Sequence, residues 1–409
     1  MSAIGGELFR HGLHHLLALY AVVVMTHFTL QVTFAHRGYR AAVRDRKRRR
    51  TPERLPSVDV IVTSYNEEPD RLEACLRSVV AQDYGGEIRV YVVDDHSLNR
   101  DELMPIYKRY AARPGWAVLR AKENRGKRAG QDVAFRHSAG ELIVTIDSDT
   151  EVDPDGVTEI VRAFEDERVG AVTGNVGVTN HCQNLLTRLI GMRYWVAFNQ
   201  ERAAQSHFRT VLCCSGPLAG YRRSVLKQIW VRYVTQSYRG VACTYGDDRH
   251  LTNLVLAAGH DTLFVPFAHA ITYAPEDLGS YLRQQLRWNK SFYRELLWTI
   301  PFLLRCSAYM IFEVIVQTAL PLLLTLALVT AFLMGVVQDP ARLLHYAAVI
   351  VAMAVLRCSY AIYRTKRLSF LLFVLYGFLH VVLLVPTRMR ALVTLGDNSW
   401  GTRTVVQRS

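Results

Sequence analysis

No two of the seven cysteines, at 75, 182, 213, 214, 243, 306 and 358, have the two-residue gap of a metal knuckle. Histidines offer no zinc-type spacing either, so zinc is excluded as the organiser of the fold or of a reaction. Scattered thiols in a cytosolic domain are expected to be reduced and structural. Acid is also in short supply: 36 Asp and Glu face 49 Lys and Arg, a formal net charge of +13. Such a surplus could serve nucleic acid. Its densest part, "RGYRAAVRDRKRRR" at 37–50, however, directly follows an apolar stretch, where anionic lipid headgroups are the nearer partner. Nucleic acid is therefore not an expected partner, and membrane lipids are.

The apolar stretch, "HLLALYAVVVMTHFTLQVTFAH" (15–36), lacks a following small-residue cleavage site. It exceeds a signal-peptide core and matches the roughly 20 residues of a spanning helix. Residues 1–14 are then expected outside and residues 37 onward in the cytoplasm, because basic clusters stay inside.

Half of the residues are hydrophobic (50%), and they are unevenly spread. In the C-terminal region 307–395, stretches 309–337 and 343–363 each suffice to cross a bilayer, with the turn-like "QDPAR" between them. A third stretch, 368–395, either crosses once or bends at Gly377 or Pro386 and returns. Glu313 and Arg357 fall inside these segments, where a charge either snorkels or marks a protein interior or wet path.

Between the apolar parts, residues 37–275 read as a soluble α/β domain. "VDVIVTSY" (58–65), "EIRVYVVDD" (87–95), "WAVLRA" (116–121) and "ELIVTID" (141–147) are β-rich runs separated by helix-length segments. That alternation predicts a parallel-dominated sheet with helices on both faces, whose ligands bind beyond the carboxyl ends of the strands. Acid-rich tips are expected there: Tyr65, Asn66 and Glu67; Asp94 and Asp95; Asp147 and Asp149. Any one cluster could merely cap a helix or close a turn. Together they describe an acidic pocket needing a cation, and hard oxygen donors suit Mg2+ or Mn2+. In "NRGKRAGQ" (124–131), Lys127 and Arg128 stand at a helix start, a place that favours anions. A cation and a phosphate cradle imply a nucleoside diphosphate.

Four motifs in order, "DD" at 94–95, "DSD" at 147–149, "GDDR" at 246–249 and "QQLRW" at 284–288, resemble those of the membrane-embedded, inverting family 2 glycosyltransferases. That group includes cellulose, chitin and hyaluronan synthases. "CCSGPLAGYRR" (213–223), "RWNKSFYRE" (287–295), "LYGFLHVVLL" (375–384) and "WGTR" (400–403) look most like hyaluronan synthases and next most like nodulation-type chitin-oligosaccharide synthases. The single N-terminal helix suits the latter.

The resemblance implies a GT-A type cytosolic domain and processive, inverting synthesis of a β-linked polysaccharide, passed outward through the plasma (inner) membrane. Its donors would be UDP-N-acetylglucosamine (UDP-GlcNAc) alternating with UDP-glucuronate (UDP-GlcA). UDP-GlcNAc alone is the chitin-type alternative. Tyr65, Glu67 and Asp95 would contact uridine, Asp147 and Asp149 would hold metal and diphosphate, and Asp248 would be the general base. The acceptor's terminal sugar would rest near Cys214, Ser215 and Gly216. Gln284, Arg287 and Trp288 share one face of a helix by their spacing. In amphipathic interface helices over 276–306, Trp288 would stack on the acceptor sugar and Arg287 face the diphosphate, while Trp could equally rest at headgroup level. Residues 396–409 would form a gating loop in which Trp400 and Arg403 close over the nucleotide, which requires a cytoplasmic C-terminus and a bent or re-entrant 368–395.

Overall fold

A computed structural model describes residues 3–48, 54–338 and 341–397. Trp400 and Arg403 lie outside the described residues. The described residues contain ten strands: β1 (Val58–Ser64), β2 (Ile88–Asp94), β3 (Trp116–Arg120), β4 (Leu142–Asp147), β5 (Thr150–Val152), β6 (Val169–Val178), β7 (Ala219–Arg222), β8 (Ser237–Tyr238), β9 (Val241–Ala242) and β10 (Asp261–Thr272). Eight of them form one sheet in the order β3-β2-β1-β4-β7-β6-β10-β5, and β8 and β9 make a separate hairpin.

Strands β3, β2, β1 and β4 pair in parallel, as the sequence predicts. β1 illustrates why. Val58, Val60 and Val62 enter one apolar core while Ile61 enters the other, so alternate residues face opposite sides and the strand reads as a continuous apolar run. Helices Pro69–Val80 and Arg100–Ala111 cover the first face through Leu72, Leu76, Leu103 and Tyr107. Helices Lys127–His137, Arg223–Val234 and Asp247–Ala257 cover the second through Phe135, Ile229 and Leu254.

The far half of the sheet departs from simple alternation. β7 runs antiparallel between β4 and β6, while β6 and β10 are parallel to one another. Glycine breaks the β pattern in "VGAVTGNVGV", and Pro266 falls where the β6–β10 register shifts between Phe264 and His269. These residues dilute the strand signal, and only the completed sheet restores it. One tip also differs from expectation, since β3 at the sheet edge ends on exposed Arg120 rather than on an acid.

Among the described residues, three helical runs are long and apolar enough to cross a membrane: Ala18–Lys47 within the helix Ala3–Arg48, Ala308–Leu326 within Ala308–Gln338, and Leu368–Val393. The stretch 343–363 forms the helix Ala341–Thr365. The N-terminal helix is tied to the α/β unit at its basic end, where Arg46 pairs with Asp155 at 3.1 Å and Glu159 at 3.2 Å. Glu313 does not snorkel. It is fully buried and accepts from Gln31 at 3.3 Å and Gln317 at 2.7 Å, with His27 at 2.6 Å, so its charge is matched by polar groups of the packed helices. Arg357 is exposed.

The last run loosens without breaking. A π turn, His380–Leu384, precedes Pro386, as expected where proline removes a backbone donor. Both ends of this run touch the α/β unit or the helix packed on it. Phe370 stacks edge-on to Trp195 at 5.3 Å and Tyr376 meets Tyr281 at 2.8 Å, while Arg388 donates to Tyr293 at 3.1 Å.

Asp59 on β1 shows how the sheet is anchored. Its buried carboxylate accepts from the backbone of Ala139 at 2.6 Å and Gly140 at 2.5 Å, and from Arg89 at 3.0 Å. Asp59→Ala leaves those donors unpaired, and a loss of about 3 kcal/mol is expected. Thermal unfolding in detergent measures it, and an unchanged midpoint contradicts this account.

Candidate active site

Loops leaving the carboxyl ends of β1, β2 and β4 converge with the turn before Asp247–Ala257 and with the helix Leu278–Leu303 around a cavity of about 940 Å³. Tyr65, Asp95, Asp147 and Asp149 line it from the sheet side. Ser215, Gly216 and Asp248 line it from the middle of the chain, and Gln284, Arg287 and Trp288 from the long helix. Tyr65 and Trp288, 223 positions apart, thus line the same cavity.

Lys127 joins the two acidic motifs. Its Nζ lies 2.5 Å from Asp147 Oδ1 and 3.3 Å from Asp247 Oδ2. Burial alone would lower the lysine pKa, but the Asp147 and Asp247 charges outweigh it and hold Lys127 charged. Gly216 is packed against the same group, and a Cβ there would come within 3.1 Å of both Asp147 oxygens. Asp149 is oriented by Thr272, which donates to it at 3.1 Å.

Asp247 and Asp248 open a helix whose preceding residue, Gly246, has φ +82°. A Cβ at Gly246 would collide with Ser291 on the long helix, so only glycine lets the two elements close. The two acids are then pushed apart electrically. Burial, then the Asp247 charge, raises Asp248; for Asp247, Lys127 and then Arg128 outweigh burial and lower it. Cys213 approaches Asp248 Oδ2 with its Sγ at 3.4 Å. Burial and then the Asp248 charge push that thiol up to about 11, so it stays protonated and donates.

Several expected contacts fall elsewhere. Arg128 is buried outside the cavity, donating to the Cys243 carbonyl at 2.8 Å and to Gln236 at 2.5 Å, so it braces the β8–β9 hairpin rather than a phosphate. Glu67 is buried, with its carboxylate accepting from Ser148 at 2.7 Å. Cys214 is fully buried behind the wall that Cys213 and Ser215 line. The loop 124–126 is also not a free phosphate cradle. Asp95 accepts from the backbone N–H groups of Arg125 at 3.0 Å and Gly126 at 2.7 Å, and its carboxylate takes the place expected for an anion.

Sequence reasoning missed Arg202, which lines the cavity and donates to Ser215 at 2.7 Å and to the Cys213 carbonyl at 3.1 Å. No motif surrounds it, and its role comes from the turn of π-helix Ala197–Arg202 that aims it inward. On the long helix, Gln284 Oε1 is buried without a hydrogen-bond partner among the described residues, and Trp288 is 43% exposed beside Tyr194. An orphan acceptor and a free aromatic face suit a polyhydroxylated ligand.

No group of three His, Cys, Asp or Glu gathers among the described residues to cage a metal ion. The donor set nevertheless fits a hard divalent cation that takes one or two carboxylates and completes its shell with substrate phosphates. Asp147 and Asp149 would supply those oxygens.

Comparison with known proteins agrees with this geometry. Residues 59–230 match the model for glycosyl transferase family 2. An N-acetylglucosaminyltransferase of Neorhizobium galegae is 41% identical over 386 residues, covering 94% of this chain and 88% of that protein. The N-acetylglucosaminyltransferase of Sinorhizobium fredii is 44% identical over 355 residues, covering 85% and 84%. In fold, the chain is similar to a mannosyltransferase from Pyrobaculum calidifontis solved with GDP-Man and Mn2+, at TM-score 0.60 and 22% identity, over 90% of this chain and 99% of that one.

Were Asp248 to serve as a base, its raised pKa would place the acid limb of kcat/KM against pH above the ordinary carboxylate range, with activity gained as pH rises through it. Asp247→Asn removes the neighbouring negative charge and shifts the limb to lower pH. A limb that stays in place or moves up contradicts the assignment.

Proposed function

Because the chain belongs to glycosyl transferase family 2, we propose that it transfers N-acetylglucosamine from UDP-GlcNAc, with inversion, to a hydroxyl of a growing chitin-type oligosaccharide. The observation that carries this reading is the single cavity in which Lys127 ties the Asp147 end of the sheet to the Asp247–Asp248 turn. Diphosphate departure and acceptor deprotonation need groups on opposite sides of one sugar, and this arrangement supplies both.

In this reading Asp147 and Asp149 hold a Mg2+ or Mn2+ ion, which when bound neutralises the leaving diphosphate. Tyr65 lies where the uridine would rest, and Arg287 faces the phosphates from the long helix. Asp248 accepts the proton of the acceptor hydroxyl as the anomeric carbon is attacked, and burial helps because it raises the basicity of that carboxylate. Trp288 offers its exposed ring to the acceptor sugar, and Arg202 with Ser215 lines the opposite wall. Alternation with UDP-GlcA, as a hyaluronan synthase would use, draws no support from relatives whose names specify N-acetylglucosaminyl transfer alone.

The α/β domain would lie in the cytoplasm of a cell whose inner membrane holds the apolar helices, with the basic 37–48 end of the first helix inside. Both ends of Leu368–Val393 contact the α/β domain or the helix packed on it, which supports a segment lying in or dipping into the bilayer over one that crosses it. Whether the product leaves through the helices is open to a vesicle assay, in which only extruded oligosaccharide is protected from added chitinase.

Purified protein with Mn2+ is expected to make oligomers from UDP-GlcNAc alone, and product size by mass spectrometry checks this. Polymer that forms only after UDP-GlcA is added would instead restore the hyaluronan reading. Asp248→Asn is expected to lower turnover by about 10²-fold or more while UDP affinity by calorimetry holds, since a base acts in the transition state. Near-normal synthesis by that variant removes Asp248 from the role.

A further inference from the structure

The motif "RWNKSFYRE" (287–295) is only partly used by the transfer site, which takes Arg287 and Trp288. Lys290, Ser291, Arg294 and Glu295 are all buried, an unusual density of charge for one helix face. Each has a specific partner. Glu295 accepts from His250 at 3.1 Å and Asn253 at 3.0 Å on the helix that Asp248 opens, and from Gln236 at 2.5 Å beside the β8–β9 hairpin. Ser291 fills the space that Gly246 leaves. Lys290 and Arg294 turn to the C-terminal segment. Lys290 Nζ lies 2.7 Å from Asp397 Oδ2, and Arg294 donates to the carbonyls of Leu395 at 2.9 Å and Asp397 at 3.0 Å.

The segment so gripped is itself bonded to the catalytic turn. Tyr245 donates its hydroxyl to the Asp397 carbonyl at 2.7 Å, and Tyr245 is the residue before Gly246. The Arg294 guanidinium sits 4.8 Å from the Tyr245 ring and 5.3 Å from that of Tyr238 in the hairpin. The turn carrying Asp247 and Asp248 is therefore held by the long helix on one side and by residues 395–397 on the other. A buried lysine is costly unless its charge is paired, and Asp397 supplies the carboxylate that pairs with it.

We propose that Lys290, Arg294 and Asp397 form a latch that makes the C-terminal segment part of the transfer site, with Tyr245 as the link through which it positions Asp248. These are positioning residues, since none of the three lines the cavity. The inference rests on the reading of Asp248 as the base. Without the latch, Tyr245 loses one of the contacts that hold its backbone, and the Gly246 turn gains freedom where the base must be aimed.

Asp397→Asn is the cleanest probe, because it is nearly isosteric and falls on a side chain 51% exposed, whereas that of Lys290 is 4% exposed. In the full-length protein in detergent it is expected to lower kcat about tenfold, the weight of one charge-assisted bond, with the KM for UDP-GlcNAc unchanged. Tyr245→Phe, which removes only the hydroxyl, is expected to lower kcat similarly. The double variant should be no worse than either single one, because both break one connection. Exchanging the pair as Lys290→Asp with Asp397→Lys should recover most of the activity lost in Lys290→Asp. Additive losses, wild-type kcat in Asp397→Asn, or failure of the exchange overturns the latch.

Coupling of Tyr245 and Asp397 in thermal unfolding gives a readout that needs no turnover. Coupled melting with no transfer from UDP-GlcNAc in the unaltered protein would count against the functional reading and leave the latch standing. Normal transfer with independent melting would do the reverse.

Discussion

The contact between Lys127 and its two carboxylates, Asp147 at 2.5 Å and Asp247 at 3.3 Å, is where the separate parts of the chain become one site. Asp147 ends a central strand and Asp247 begins a helix 100 residues later, and neither would tolerate burial without a cation. A lysine suits this position because its ammonium is a compact point charge on a long stem, able to reach two carboxylates whose planes are unrelated. It also sorts the acids electrically. Asp247, next to Lys127, is held low, while Asp248, one residue further on, is pushed up by burial and by that neighbour. Two adjacent carboxylates thereby acquire different chemistry from one shared cation.

Everything around that contact keeps the two motifs at a fixed separation. Gly246 allows the turn, Ser291 occupies the room Gly246 leaves, and Glu295 braces the helix that follows. The long helix Leu278–Leu303 serves three neighbours at once, presenting Trp288 to the cavity, Glu295 to the helix Asp247–Ala257 and Lys290 to the C-terminal segment. Its exposed Leu297 and Ile300, with Leu304 at its C-cap, lie three and four residues apart, as an apolar stripe at a membrane surface requires. The α/β domain is in this way tied to the apolar helices by buried charge as well as by apolar contact.

Some expectations from residue type met a competitor in the folded chain. The loop 124–126 has the glycine and basic residues of an anion cradle, yet Asp95 reaches its N–H groups first because β2 ends directly beneath it. Arg128 lies one position after Lys127, and on a helix that turns it by about 100 degrees, away from the cavity and toward Gln236 and the Cys243 carbonyl. Cys213 and Cys214 are likewise separated, since Cys213 lines the cavity while Cys214 is fully buried behind it.

What the amino-acid order determined by itself is local: the four parallel strands, whose two-sided burial demands unbroken apolar runs, the apolar helices, whose length matches a bilayer, and the acids at the strand ends. Those signals depend on residues close together in the chain. Tertiary structure alone decided which acids face one another, that β7 enters the sheet antiparallel, that Arg202 and Cys213 line the cavity, and that residues 395–397 return to the turn at Tyr245–Gly246. These outcomes turn on contacts between residues far apart in the chain, whose partners no local pattern encodes; burial then selects among them by requiring each charge to find a counter-charge or donor.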